Sequence, residues 1–340
     1  GSPWTMPERR TPAEAAPVLI IGCPRSGTTW LARIFDSHPG VIYRHEPDAV
    51  LDGPPIPQFP EGTFSREWRD AARRHLDAMA RSRHVRAVGL VPVFPKRYHS
   101  PLQRSLRVGC IYAIKGMERA TGLQRLVDRL AVPDLLPADA ADPVTVVMKS
   151  VIANGRAGLF HAAWPALRII LIVRHPCAQI ASMIRGSRMR KLSGGGSART
   201  LSGTRIARDA GIDEAWLRQA RPEQSLAWYW RVVNDHTMND LDGSPAFRAV
   251  RYEDLCHQPL DVARDLFDFA GLDFDPACEA FVRQSVSPAE DAEAFFATTR
   301  NPEIAATKWR QQLSAAQIDD IEAITADTRA GRLFRPFLDA

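Results

Sequence analysis

The sequence predicts a three-layer α/β sandwich, a mostly parallel central sheet with helices on both faces. Three observations predict it. Short apolar runs alternate with segments of helical spacing, as in a parallel sheet whose strands are joined by helical crossovers. The strongest runs, Val18–Ile21 and Arg168–Val173, read as buried strands. The first of them runs into a loop bounded by Gly22 and Gly27, and a helical pattern opens directly after it.

Val18–Gly22 is the first strand and Thr28–Ser37 its helix, with Trp30, Leu31, Ile34 and Phe35 in helical register. Val41–Tyr43 is a short second strand. Residues 66–83 carry helical spacing at Trp68, Ala72, Leu76 and Met79. Val144–Lys149 is a third strand, followed by a helix over Ala157–Trp164. Arg168–Val173 is the fourth, and Pro176 stands where a helix starts and runs to about Arg185. Pro222 opens a long helix to Leu241, whose Trp228 and Trp230 belong to the core. Phe247–Tyr252 is a further strand, and helices follow over Pro259–Ala270, Pro276–Gln284 and Ser314–Arg329.

Two segments interrupt this rhythm. Asp52–Phe64 is rich in proline and glycine, and Gly186–Thr204, with its Ser193–Ser197 glycine run, reads as a mobile loop. Arg83–Leu136 is basic, with Lys96, Arg97, Arg104 and Arg107, and reads as a helical insertion. The expected organisation is a disordered tail over 1–16 and a single domain over 17–340. Insertions at about 51–143 and 186–221 would form a substrate wall or lid.

A chain of 340 residues buries a sizeable core, and 45% hydrophobic with 24% charged residues is ordinary for a soluble enzyme. No apolar run reaches the ~20 residues of a membrane span. The polar start shows no signal peptide, so a cytoplasmic location is expected. The five cysteines (Cys23, Cys110, Cys177, Cys256, Cys278) are scattered, odd in number and without Cys-x-x-Cys, which suits free thiols rather than disulfides or zinc. A net charge of +5 suits anionic small molecules better than nucleic acid. A homodimer is compatible with this composition, which does not set the oligomeric state.

The loop carries the first chemical signal. Strand, glycine-bounded loop and helix start is a phosphate cradle, because backbone N–H groups and the helix dipole meet the anion. Gly22-x4-Gly27 copies the P-loop spacing, but Thr28 stands where nucleotide triphosphatases place lysine, and the cation comes earlier, at Arg25. The second signal is Arg168–Pro176 with Ser182. A strand ending in Arg174 puts a guanidinium at the carboxyl edge of the sheet, where open α/β sheets bind ligands. Its planar fork suits phosphate oxygens.

Pro24–Trp30 resembles the 5′-phosphosulfate loop of sulfotransferases that use 3′-phosphoadenosine 5′-phosphosulfate (PAPS). Arg174 and Ser182, eight residues apart, resemble their 3′-phosphate motif. Asp36-Ser-His-Pro39 followed by Glu46 resembles tyrosylprotein sulfotransferases and related bacterial enzymes. The resemblance implies a P-loop-like fold and PAPS as co-substrate, with no metal required. It makes Glu46 the catalytic base, with His45 and Asp48 as rivals. Lys149, 25 residues before Arg174, matches the lysine that stabilises the transferring group there, a task shared with Arg25. Arg25, Ser26, Gly27, Thr28 and Thr29 would cradle the phosphosulfate. Arg251–Leu255 resembles the segment flanking the adenine, with Tyr252 as the candidate contact. Thr307–Arg310 resembles the pair closing over the nucleotide, giving Lys308, Trp309 and Arg310.

The implied reaction moves a sulfuryl group to a hydroxyl of a small molecule such as a secondary metabolite, of a lipid or glycolipid, or of a carbohydrate. The chain departs from the cytosolic-type pattern in having Arg25 where lysine is common. It also lacks the Gly-x-x-Gly-x-x-Lys phosphate segment near the C-terminus. Two other readings compete: a P-loop kinase or nucleotide hydrolase, disfavoured by Thr28, and a non-catalytic module that binds 3′,5′-ADP (PAP).

Overall fold

Five strands form one sheet in the computed structural model, which describes residues 16–121, 130–136, 144–188, 198–286 and 307–337. In chain order they are β1 (Val18–Ile21), β2 (Val41–His45), β3 (Thr145–Ser150), β4 (Arg168–Val173) and β5 (Phe247–Arg251). Their spatial order is β2-β3-β1-β4-β5 and every pairing is parallel, so the expected mostly parallel sheet is wholly parallel. β1 sits in the middle because all four of its side chains are apolar and buried. Successive side chains alternate between the two faces. Val18 and Ile20 join a core with Trp30, Phe35 and Phe267. Leu19 and Ile21 join a second core with Leu76, Phe160 and Trp230.

The helices are α1 (Thr28–Asp36), α2 (Arg66–Arg81), α3 (Val85–Val88), α4 (Pro101–Thr121), α5 (Ala157–Ala163), α6 (Pro176–Arg188), α7 (Ala198–Ser202), α8 (Arg205–Asp209), α9 (Glu214–Gln219), α10 (Pro222–Asp240), α11 (Tyr252–His257), α12 (Pro259–Ala270), α13 (Pro276–Val286) and α14 (Ala315–Thr325). Prolines open α6, α10, α12 and α13 at the positions read from the sequence, where a missing N–H costs nothing. Among the described residues no helix is long and apolar enough to cross a membrane.

Several boundaries differ from expectation. β2 runs two residues further, to His45, because its edge keeps pairing with β3 up to Lys149. β5 stops at Arg251, and Tyr252 starts α11 instead of ending the strand. Arg251 holds Asp254 with two guanidinium bonds and turns the chain into the helix. α14 ends at Thr325 rather than Arg329, since Thr325 and Thr328 hydroxyls back-bond to carbonyls there. The basic insertion is helical at α3 and α4. Residues 1–15 of the expected tail and 189–197 of the expected mobile loop lie outside the described residues, while the loop's flanks, up to Arg188 and from Ala198, are helical. The proline-rich segment 52–64 has no helix or strand, yet it is packed. Ile56 is buried, and Arg156 donates to Pro57 O at 3.0 Å.

Candidate active site

β1 delivers the glycine-bounded loop to the centre of the carboxyl edge, between the ends of β3 and β4. Gly27 has φ +99°, and a Cβ there would lie 2.3 Å from the Tyr252 ring, so only glycine fits. A Cβ at Gly22 would sit 2.6 Å from Ile172 O. Arg25 adopts φ +71°, a left-handed conformation that costs a side-chain-bearing residue strain. The loop is tied from several elements. Gln179 Nε2 donates to Pro24 O (3.1 Å), Arg174 Nη1 to Arg25 O (3.0 Å) and Asn154 Nδ2 to Gly22 O (3.3 Å). Helix α1 opens at Gly27 without a side-chain cap. Ser26 Oγ is buried and has no hydrogen-bond partner. Thr28 and Thr29 form the first turn of α1, Thr28 buried and Thr29 half-buried.

The two sequence motifs converge here. Arg25 Nε donates to Ser182 Oγ at 3.2 Å, joining the loop to α6. The Arg174 guanidinium lies 4.8 Å from the centre of the Tyr252 ring, a cation–π distance. Tyr252 in turn meets Trp30 edge-on at 6.2 Å.

Glu46 and Lys149 meet one strand away. His45 and Lys149 are register partners at the ends of β2 and β3, and Glu46 N donates to Lys149 O at 2.7 Å. The Lys149 ammonium is bonded to Glu46 Oε1. The lysine side chain is 2% exposed and the glutamate 33%. Burial alone would raise the Glu46 pKa. The adjacent ammonium, its hydrogen bond and His45 outweigh burial and hold the carboxyl below its ordinary value. Burial pushes Lys149 down, opposed by Glu46. His45 is lowered to about 4 by burial and by Lys149, and its Nδ1 lies 2.9 Å from the Tyr43 hydroxyl. Asp48 is buried, with one oxygen bonded to Ser150 Oγ at 2.5 Å, and burial raises its pKa. Of the three candidates for the base, Glu46 alone is both ionised at neutral pH and partly open to solvent.

The C-terminal motif is a short 3₁₀ turn, Lys308–Gln311. Trp309 is buried in a cluster with Cys177, Ala178 and Ile321 and stacks on His175 at 4.9 Å, while Lys308 and Arg310 are exposed. Trp228 and Trp230 are core residues, as read, and Trp230 Nε1 also donates to Arg174 O at 3.0 Å. Sequence reasoning missed the supports. Gln179 lies one helical turn before Ser182, a spacing that could have flagged it. Asn154 had no such signal, while Glu253 lies inside the Arg251–Leu255 motif and its Oε1 accepts from His175 N at 3.0 Å. Segment 56–61 is joined to α8, where Glu61 accepts from Arg205 N and from Arg208.

The profile of the sulfotransferase family matches residues 17–276. The chain belongs to the sulfotransferase family. Carbohydrate sulfotransferase 5 of Mus musculus is 24% identical, over 92% of this chain and 78% of its own. Carbohydrate sulfotransferase 6 of Homo sapiens is 25% identical, over 94% and 80%. Both relatives are carbohydrate rather than tyrosylprotein sulfotransferases. Among solved structures, mouse sulfotransferase SULT7A1 complexed with PAP covers 96% of this chain and 90% of its own at 11% identity, with a TM-score of 0.44. A sulfotransferase domain from the curacin biosynthetic pathway covers 91% and 96% at 17% identity and TM-score 0.42. This sulfotransferase is thus an enzyme of sulfuryl transfer, and the kinase reading falls away.

Proposed function

We propose that this sulfotransferase moves a sulfuryl group from PAPS to a hydroxyl of a carbohydrate, giving a sulfate ester and PAP. The observation that carries the reading is the Glu46–Lys149 contact at the carboxyl edge, one strand from the anion loop. The loop's chemistry fits a phosphosulfate: a buried Ser26 hydroxyl without a partner, two glycines with no room for a Cβ, and an uncapped helix start. Arg25, Ser26, Gly27, Thr28 and Thr29 would hold the phosphosulfate. Arg174 and Ser182 would take the 3′-phosphate, with Tyr252, Lys308, Trp309 and Arg310 toward the nucleoside.

When bound, PAPS supplies the sulfuryl group and a phosphate leaving group. Glu46 takes the hydroxyl proton as the acceptor oxygen bonds to sulfur. The bond between sulfur and the 5′-phosphate oxygen breaks, and its electron pair stays on PAP. A base placed this way contributes typically 10²–10⁴-fold. An ammonium carries three donors and the bond to Glu46 uses one, so Lys149 keeps donors for the developing charge on the leaving oxygen. Arg25 adds a second cation. The carbohydrate acceptor class is favoured by the names of the relatives.

Labelled PAPS offered with sugars, phenols and lipid alcohols tests the reading. Transfer to a sugar hydroxyl is expected, and transfer to phenols alone would overturn the acceptor class. Thermal stabilisation by PAP is expected as well. Stabilisation by ATP with Mg²⁺ but not by PAP would overturn the donor.

A further inference from the structure

We propose that a small inorganic anion of halide size binds in a cationic cavity beside edge strand β2, separate from the sulfuryl-transfer site. The cavity measures about 40 Å³ and is lined by Asp36, Tyr43, Arg44, Lys96, Arg107 and Asp134 among others, without Glu46 or Lys149. Among the described residues β2 pairs only with β3, and the basic insertion packs against this flank of the sheet.

The charge balance around the cavity is uneven. Asp36 answers both Lys96, at 3.1 Å, and Arg33. Asp134 answers Arg44 at 2.7 Å, Arg83 at 3.4 Å and Arg107 at 3.7 Å. Among the described residues, three cations (Arg44, Lys96 and Arg107) and two carboxylates (Asp36 and Asp134) line the cavity. All three cations are buried, the side chains of Arg44, Lys96 and Arg107 being 3%, 7% and 10% exposed. Buried charge in excess is unfavourable unless something of opposite sign meets it. Burial lowers the pKa of Arg33, Lys96 and Arg107, with the two carboxylates opposing it only in part.

Donors remain for a ligand. Arg107 gives Nη1 to Pro133 O at 2.5 Å, which uses one of the five N–H groups of a guanidinium. Size then selects the ligand. A single water needs on the order of 10–15 Å³ of such space. About 40 Å³ admits a halide but no sugar or nucleotide. A halide carries a single charge and so loses less on leaving water than a sulfate or phosphate dianion would.

Bromide is the probe. Crystals of the full chain grown with bromide as the sole halide are expected to show an anomalous peak in this cavity, beside Arg107. Waters alone in the cavity, or bromide only at the surface, would overturn the proposal. In solution, a saturable rise in Tm is expected on replacing gluconate by bromide at constant ionic strength. Arg107→Gln should abolish that rise and Arg107→Lys keep part of it. A parent protein whose Tm is the same in both salts would also overturn the proposal. If Arg107→Gln does not fold, the two measurements on the parent decide. Neither result bears on sulfuryl transfer, which the PAP and acceptor assays test independently.

Discussion

Replacing Glu46 by Gln separates the role of a base from that of a structural anion. Gln keeps the length and an oxygen that accepts from Lys149, but it cannot take a proton at neutral pH. Losing a general base costs 10²–10⁴-fold in kcat, or about 3–5 kcal/mol of barrier at 1.36 kcal/mol per decade. The structural cost is smaller and of a different kind. Lys149 is 2% exposed and would exchange a charged partner for a neutral one. An exposed ion pair contributes about 0–1 kcal/mol and breaking a fully buried one costs about 3–5; with the lysine buried and the glutamate one-third open, stability should fall by roughly 1–3 kcal/mol. The chain should still fold and still bind PAP, because none of the loop's ties involves Glu46. Turnover with labelled PAPS, PAP titration by thermal shift and a denaturant melt read the three quantities. Turnover within about threefold of the parent, with unchanged PAP affinity, would refute the assignment of Glu46 as base.

Other expectations follow from the same geometry. Gly27→Ala combines a left-handed backbone, at about 1–2 kcal/mol, with a collision against Tyr252, at about 1–3. It should lose roughly 2–5 kcal/mol in denaturant unfolding along with most PAP affinity. Arg174→Lys removes the planar fork, its contact with Tyr252 and its tie to Arg25 O, and PAP should bind about 10–100-fold more weakly by calorimetry, with 5′-AMP weakened by a smaller factor. Because the Glu46 pKa is depressed on folding, its ion pair stabilises above the unfolded carboxylate value, ~4.3, and that contribution fades as pH falls through the lower folded value. Tm should therefore be insensitive to Glu46→Gln in strong acid and sensitive at neutral pH. Burial lifts the thiols of Cys23 to about 12 and of Cys256 and Cys278 to about 11, and raises Cys177 too. Half-exposed Cys110 should be the first alkylated in native protein by peptide mapping.

Much of this was legible because local rules and the global fold agree. The run Val18–Ile21, the two loop glycines and Pro176 each carry their meaning in a few neighbouring residues, and the structure uses them as read. Glu46 and Lys149 were legible only as motif positions. Their contact depends on β2 and β3 ending side by side, a pairing across 103 residues that no window of sequence contains. The end of β5 misled because Tyr252 looks like a strand residue, while Arg251 and Asp254 turn it into a helix start. Asn154 stayed hidden for a simpler reason. It supports a backbone atom of a distant segment, Gly22 O, and nothing in the residues around it marks that bond.

The ties on the loop have a thermodynamic consequence. Gly22–Gly27 is anchored by side chains of Asn154, Arg174 and Gln179, with the Tyr252 ring seated against its last glycine. Fixing one backbone residue costs about 1–2 kcal/mol in entropy, so a slack loop of this length would surrender several kcal/mol each time it closed on an anion. Here that ordering occurs once, when the domain folds, so an anion that the loop takes up, as the proposed function has it, would not meet that cost again. Gln179 and Asn154, which bond the loop through its backbone carbonyls, would then raise affinity by holding the loop's shape.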